Sequence, residues 1–335
     1  MKQIDISSNT PGREAIFLLS YNILADLFAD AQQYFNKTGK DYVSWPSRSM
    51  KILNEILSFN ADIICLQEMQ ENHYHEWLAI EMLKYGYTGI YVKKKRDWGA
   101  GNDGCATFYR HQKVELVQSS TIDYTDYART LEKYFRSKTA LETLAIPTHS
   151  LGLYTLFRTH LNGKHFWVAN THITWHYTHP YFQLFQVKTL ISELERLNTQ
   201  QLPYLICGDF NSGPQSPVFE YLSTGKISQC SSHYESLKQV YTDLFIDNYG
   251  QMYLDEQHGL IQSIENAYCP KTVYMDFTNH DGEWYGILDY IWFDKNKLKL
   301  TKLLQSMLPS ECINVLPNEQ HPSDHLPLLA EFELI

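Results

Sequence analysis

Long apolar runs are missing from this 335-residue chain. No stretch approaches the ~20 consecutive apolar residues that span a bilayer. The N-terminus also lacks the charged-then-apolar layout of a secretory leader, so no membrane partner is expected. Cysteine is sparse: Cys65, Cys105, Cys207, Cys230, Cys269 and Cys312, with no CxxC pair among them. That spacing argues against a zinc site or a disulfide framework. Cys65 and Cys207 sit inside apolar strand-like runs and read as reduced core residues, which implies an intracellular, cytoplasmic protein. Positive charge is short as well, with 28 Lys and Arg against 38 Asp and Glu and a formal charge of −10. No overall field attracts polyanions, so a nucleic-acid ligand would need a local groove or metal ions. The only basic run, Lys93-Lys94-Lys95-Arg96, has the form of a solvated loop. Internal repeats and low-complexity segments are absent.

What remains is an ordinary globular composition, 44% hydrophobic and 20% charged, compatible with a large core. The polar opening, residues 1–13, reads as a disordered arm, and residues 14–335 as a single mixed α/β domain.

The chain is organised around Leu205-Ile206-Cys207-Gly208-Asp209-Phe210-Asn211-Ser212. An apolar strand stops at Gly208, and Asp209 and Asn211 follow two apart, on one face if the backbone stays extended. The same residues also suit an Asx-type turn. Other strands end in the same way. Ala15 to Tyr21 runs into Asn22, Ile63 to Gln67 into Glu68, and His165 to Asn170 into Thr171-His172. Asp289 is embedded in Ile287 to Phe293, and Asp324 and His325 precede the strand Leu326 to Leu334. Adjacent residues in extended chain point opposite ways, which gives Asp324 and His325 different tasks.

Helices are expected from Trp45-Pro46 onward, around Trp77 to Leu83 with closure at Gly86, over Leu184 to Leu197, and from Ser216-Pro217 to near Gly225. Residues 121–150 read as a helix-containing insertion or a long loop, and 226–282 as irregular. Trp175, His176, Tyr177 and their aromatic neighbours form a loop that could pack on a helix or present stacking surfaces.

Each strand-end residue has a structural explanation; eight in equivalent places point to a site. Four of the eight are carboxylates, which repel unless a cation sits among them. Oxygen donors suit Mg²⁺, with Mn²⁺ as a substitute, rather than zinc. Such a site beside Asn and His donors fits phosphate-ester hydrolysis.

The segments SYNIL (20–24), LQE (66–68), NTH (170–172), GDFNS (208–212), LDYIW (288–292) and SDH (323–325) together resemble the endonuclease/exonuclease/phosphatase superfamily. They occur in that family's order along nearly the whole chain. SYNILAD, NADIICLQE, DGCATFYR, NTH-x-x-WH, GDFNS followed by VFEYLSTG, and PSDHLPLLAEF are similar to the mRNA deadenylase branch of carbon-catabolite-repressor-type deadenylases, nocturnin and Angel. The resemblance implies a four-layer α/β sandwich, two mixed β-sheets packed face to face with helices outside. By position it makes Glu68 the principal metal ligand for one or two ions, with Asn22 and Asp324 holding or positioning them. Asp209 would orient or deprotonate the attacking water. Asn211 and His172 would bind the scissile phosphate, and His325, bonded to Asp289, would stabilise its charge. Trp175, Tyr177 and Trp284 would contact the substrate.

The resemblance also implies a Mg²⁺-dependent 3′–5′ exoribonuclease that removes poly(A) tails from single-stranded RNA and releases 5′-AMP. The rivals are a phosphatase or cyclic-phosphate or 2′–5′ phosphodiesterase acting on nucleotides, sphingomyelinase-like lipid hydrolysis, and a non-catalytic RNA-binding module. No hydrophobic membrane-binding loop supports the lipid reading, and the acidic charge disfavours passive RNA binding. Three departures from the branch stand out. Tyr177 occupies a position where the branch has Pro after Trp-His, with Pro180 three residues later. His149-Ser150-Leu151-Gly152 replaces an Asp-Asn-x-Gly. No leucine-rich-repeat docking module is present, and the chain reads as a monomeric catalytic domain. Trp284 stands five residues before Asp289, where a base-stacking aromatic is expected. Trp284→Ala should therefore weaken RNA binding by roughly 1–3 kcal/mol; an unchanged Michaelis constant on RNA would remove it from the site.

Overall fold

In the computed structural model the residues described are 3–5, 14–29, 40–95, 102–146, 148–175, 179–246, 264–266, 278–280, 285–304 and 315–335. Two large mixed sheets face each other. The first is ordered β1 (Gln3–Asp5), β14 (Leu298–Leu304), β15 (Leu328–Leu334), β2 (Ala15–Asn22), β3 (Ile63–Gln70), β5 (Asp103–Arg110), β4 (Tyr87–Lys93). The second is β10 (Ile264–Asn266), β13 (Asp289–Asp294), β9 (Tyr204–Asp209), β8 (His165–His172), β7 (Leu151–Thr159), β6 (Val114–Asp123). A two-stranded ribbon joins β11 (Asn279–His280) to β12 (Tyr285–Gly286).

Each large sheet contains a single parallel pair among the described strands, β2 with β3 and β8 with β9. Parallel neighbours need a long crossover. Here the Trp45–Ser58 helix and the Pro180–Leu197 helix lie on those two connections, each with a proline in its first turn.

Side-chain parity explains the layers. On β2 and β3, Ile16, Leu18, Ile63 and Cys65 pack between the sheets against Phe166, Val168, Leu205, Cys207 and Ile291 of the second sheet. The alternate residues Leu19, Tyr21, Ile64 and Leu66 face outward onto Ile52, Leu53 and Ile56 of the Trp45–Ser58 helix. Tyr204, Ile206, Tyr290 and Trp292 likewise face the helices that cover the second sheet, among them Pro180–Leu197 and Tyr234–Leu244. Strands buried on both faces read as unbroken apolar runs. The four-layer sandwich is the observed architecture.

Several elements differ from the sequence expectation. Gln3–Asp5, within the segment expected to be disordered, pairs antiparallel with β14 as an edge strand. Tyr234–Leu244 is a helix inside a stretch read as irregular, with Tyr234, Leu237, Tyr241 and Leu244 buried on one stripe. β14 was not anticipated, because its Lys299 and Lys302 interrupt the apolar pattern. The 121–150 insertion carries helices over Tyr124–Thr130 and Lys138–Leu144, each capped by a side chain, Asp123 and Ser137 respectively.

On the outer face of the first sheet, Glu55 accepts a hydrogen bond from the Tyr21 hydroxyl at 2.8 Å. Burial pushes this carboxyl up to about 7, against the lowering effect of that bond. Its folded value exceeds its unfolded one, so the stability it contributes is complete at low pH and lost as pH rises toward 7. Glu55→Gln should remove this loss. Thermal melts should show the variant level with the parent near pH 4.5 and ahead of it at pH 8 by about 2 °C, or roughly 1 kcal/mol. An equal offset at both pH values would contradict the assignment.

Candidate active site

The inward parity of the central strands delivers the site. Continuing Ile16, Leu18, Ser20 by one more step reaches Asn22; Phe166 and Val168 lead to Asn170 and His172. In the same way Leu205 and Cys207 lead to Asp209, while Phe293 and Ile291 lead back to Asp289. Each strand is apolar deep between the sheets and polar at one end, the place where α/β proteins commonly carry function.

Gln67 and Asn170 form the first polar tier. Gln67 Nε2 donates to Asn170 Oδ1 at 2.8 Å across the two sheets, and Asn170 Nδ2 donates to the carbonyls of Leu66 and Ala106 at 3.2 and 2.9 Å. Glu68 follows Gln67 with φ of +58°, where the β3–β5 register shifts between Leu66 and Met69. This bulge breaks the alternation, which lets Glu68 join the same site as Gln67's face. Its Oε1 accepts from Asn22 Nδ2 at 3.1 Å and its Oε2 from the Ala25 amide at 2.8 Å.

Asn22 is the hub. Its Oδ1 accepts from Leu24 N at 3.1 Å, which fixes the amide orientation, and its Nδ2 reaches Glu68, Asp209 Oδ2 at 3.0 Å and His325 Nε2 at 3.4 Å. It thus presents donors to the carboxylates and spends its oxygen on the backbone. Arg48 supports the loop behind it. This buried guanidinium donates to the carbonyls of Val43, Ile23, Leu24 and Pro322 and pairs with Asp26 at 2.8 Å. One side chain therefore ties the segment after Asn22 to the segment before Asp324.

Asp209 and Asn211 meet through a turn. The Asn211 amide donates to Asp209 Oδ1 at 2.8 Å with Asn211 at φ +49°. The expected shared face arises from an Asx turn, not from extended alternation. Asn211 Nδ2 lies 3.1 Å from His172 Nε2 and donates to Ile173 O at 2.8 Å. His325 Nδ1 is 2.7 Å from Asp289 Oδ2, and His325 Nε2 is 3.7 Å from Asp209 Oδ2. Asp324 turns the other way, 3.4 Å from Asn279 Nδ2. The ribbon strand β11 bridges to His325, and Thr278 Oγ1 accepts from the amides of Leu288 and Asp289.

The electrostatics are those of crowded buried acids. Burial, then the charges of Asp324 and Asp103, raise the Glu68 carboxyl to about 6. Burial and Asp289 raise Asp209 to about 7, against the pull of His325 and two hydrogen bonds. For His325 burial opposes the charge, but Asp289, Asp324 and Asp209 together hold the ring well above the ordinary histidine range. Glu68 and Asp324 offer hard oxygen donors whose mutual repulsion a divalent cation would relieve, so the residues present fit such an ion. Asp209, Asp289 and His325 form a second close group of candidate ligand atoms. Another cluster, Asp123, Asp126 and His149, is satisfied internally: Asp123 caps a helix and binds His149, while Asp126 pairs with Lys95 and Arg129.

Asn22, Glu68, His172, Asp209, Asn211, Asp289, Asp324 and His325 are thus brought to one end of the sandwich. Trp175 stands on the surface, 66% exposed, and Tyr177 and Trp284 fall outside the described residues. Sequence reasoning missed Gln67, Asn170, Arg48 and Lys94. Asn170 and Gln67 sit in the quoted NTH and LQE segments, so parity along those strands was the available signal. Lys94 gave none, because a basic run does not reveal which of its members turns inward.

Similarity to known proteins agrees with this geometry. The profile of the Endonuclease/Exonuclease/phosphatase family matches residues 19–325. Curated relatives include the CCR4-Not complex 3′-5′-exoribonuclease subunit Ccr4 of Mycosarcoma maydis, 28% identical over 98% of this chain and 52% of that protein. The Ccr4 subunit of Schizosaccharomyces pombe is 29% identical over 95% of this chain and 49% of its own length. The chain therefore spans about half the length of these relatives. Among solved structures, ANGEL2, described as a 2′,3′-cyclic phosphatase, superposes with a TM-score of 0.77 at 25% identity, covering 99% of this chain and 98% of that one. The human Nocturnin catalytic domain, at 22% identity and a TM-score of 0.67 over 100% and 97% of the two chains, shares the fold. No helix among the described residues is long and apolar enough to cross a membrane.

If Glu68 and Asp324 share a cation, Glu68→Gln should stabilise the metal-free protein and abolish stabilisation by Mg²⁺. At about a hundredfold excess over its dissociation constant a bound ion stabilises by about 2.7 kcal/mol. Melting curves with and without Mg²⁺ should show a rise for the parent and none for the variant; equal rises in both would dismiss Glu68 as a ligand. The strand-end residues, their mutual geometry and the matched profile lead to one conclusion: the chain belongs to the endonuclease/exonuclease/phosphatase family.

Proposed function

We propose that the protein is a divalent-metal-dependent phosphodiesterase that shortens single-stranded RNA from its 3′ end, with adenylate tails as first substrate and 5′-AMP as product. The observation that carries this reading is the convergence of two carboxylates, half-buried Glu68 and buried Asp324, with Asp209, His325–Asp289 and the His172–Asn211 donors. Family membership and the Ccr4 relatives support the reaction class. Mg²⁺ is the ion best suited to Glu68 and Asp324, with Mn²⁺ as substitute, and when bound it would supply charge stabilisation at the phosphate.

The chain's own groups divide the remaining work. Asp209, raised to about 7, can take a proton from an attacking water as that oxygen bonds to phosphorus and the bond to the 3′ oxygen breaks. Asn22 keeps Asp209 and Glu68 in fixed relation. His325, favoured in its charged form by Asp289, offers Nε2 to negative charge developing on the phosphoryl group. His172 and Asn211 orient that group. The free thiols of buried Cys65, Cys105 and Cys207 support an intracellular setting. A second reading, hydrolysis of a 2′,3′-cyclic phosphate end, is favoured by the likeness to ANGEL2 together with Tyr177 in place of the branch's Pro.

A Mg²⁺ time course on 5′-labelled RNA separates these readings. The substrates are one RNA with a 3′ adenylate tail, the same RNA with a non-A tail, and one ending in a 2′,3′-cyclic phosphate. Stepwise loss of the A tail alone is the expected result. Equal shortening of both tails would mean a general 3′ exonuclease, and opening of the cyclic end alone would favour the second reading. Glu68→Ala should be inactive in every arm while keeping the parent's circular dichroism; normal turnover by this variant would reject the proposed metal site.

A further inference from the structure

The basic run Lys93 to Lys95 divides its members between two environments. Lys93 and Lys95 form ion pairs with Glu71 and Asp126, and both lysines are well exposed. Lys94 turns inward and is 1% exposed. Its Nζ lies 2.9 Å from Asp103 Oδ2, a side chain with 0% exposure, and 3.1 Å from His172 Nδ1. The backbone reinforces the arrangement, with Lys94 N donating to Asp103 O at 2.8 Å. A buried ammonium persists only when paired in this way, and removing one partner leaves the other as an uncompensated charge.

We propose that Lys94, held by its ion pair with Asp103, is a positioning residue that fixes the tautomer of His172. An ammonium has three donors and no acceptor. His172 Nδ1 must therefore accept from it, which puts the proton of the neutral ring on Nε2. That nitrogen faces the site, 3.1 Å from Asn211 Nδ2 and 3.6 Å from Asp209 Oδ2. One Asn211 amide hydrogen is taken by Ile173 O at 2.8 Å. The other lies beside the Nε2–H, so that both nitrogens can donate to one phosphoryl oxygen placed between them. Under the phosphodiesterase reading, on which this inference rests, His172 is a hydrogen-bond donor to the scissile group and not a base.

The opposite tautomer would let Asn211 donate to Nε2. It would also set Nδ1–H against the ammonium, leaving two donors face to face beside buried Asp103. The ion pair decides between the two.

The test reads the tautomer directly, from the ring ¹⁵N shifts of histidine-labelled protein, with His172 assigned by the signals lost in His172→Gln. The parent should show Nε2–H, and Lys94→Met should move His172 toward Nδ1–H. Because Lys94→Met strands Asp103, the Lys94→Met/Asp103→Leu double variant is measured beside it, which also leaves the net charge near Glu68 unchanged. The double variant should melt close to the parent, keep the altered tautomer, and lose about 10–100-fold in kcat on adenylate-tailed RNA, as partners that orient a functional histidine do, with little change in KM. An Nδ1–H signal in the parent, or a double variant with the parent's tautomer and kcat, would overturn the proposal. The tautomer measurement needs no turnover, so it stands if the RNA assay is silent and only the functional reading fails.

Discussion

The hydrogen bond from Gln67 to Asn170 is the constraint on which the site depends. It crosses from β3 to β8 where the apolar filling between the sheets ends. A buried amide left unmatched costs about 1–3 kcal/mol, so the two side chains hold the sheets at one spacing and one register. A slip of one residue on either strand would turn every side chain to the opposite face. Val168 would then leave the core and His172 the site. The amide pair thus defines a floor: hydrocarbon lies below it, and the ionisable groups stand above it.

Above that floor the arrangement works against its own stability. Glu68, Asp209, Asp289 and Asp324 are gathered with few cations of the protein's own, and Glu68 and Asp209 are pushed up to about 6 and about 7. Glu68 and Asn211 also occupy the left-handed region of backbone conformation, which costs non-glycine residues of order 1–3 kcal/mol each. Both the charge crowding and the backbone strain coincide with the residues that would meet metal and phosphate. Compensation comes from neighbours with no chemical task of their own. Arg48 binds four carbonyls around the loops that carry Asn22 and Asp324, and Lys94 neutralises Asp103.

The strand-end groups were legible in the sequence because strand parity is periodic, whereas the Gln67–Asn170 floor beneath them was missed. A run buried on both faces and ending in Asn, Glu, His or Asp announces both the strand and the polar end. Where the backbone leaves that period, the reading loses its basis. Asp209 and Asn211 share a site through a turn, and Glu68 enters it through a bulge. The Tyr234–Leu244 helix was hidden because its stripe relies on tyrosines, whose apolar rings carry polar tips. β14 was hidden by its lysines, whose stems can lie along a sheet while their charges reach out. Lys94 and Arg48 were invisible for another reason. Their burial depends on partners 9 residues and up to 274 residues away in sequence, and no local pattern encodes such a pairing.

The division between strands and loops also bears on specificity. Most of the groups that would break a phosphate ester lie at or just beyond strand ends of the two sheets, whereas Trp175, expected to meet the rest of a substrate, follows β8 in a connecting segment. Loops tolerate change that strands do not. The segment His149 to Gly152, which stands where the resembled branch has Asp-Asn-x-Gly, runs into the start of β7 and makes its own side-chain contacts there. His149 shows this in detail. It is recruited to Asp123 at 2.7 Å and Thr125 at 3.2 Å, stabilising a helix start on the edge of the second sheet. The Ser150 hydroxyl meets Thr174 at 2.8 Å, next to Trp175. The segment ahead of β7 is thereby tied to the segment that follows β8. Under the proposed phosphodiesterase reading, the reaction class is carried by the strand-end groups and the choice among phosphate esters by the connecting segments.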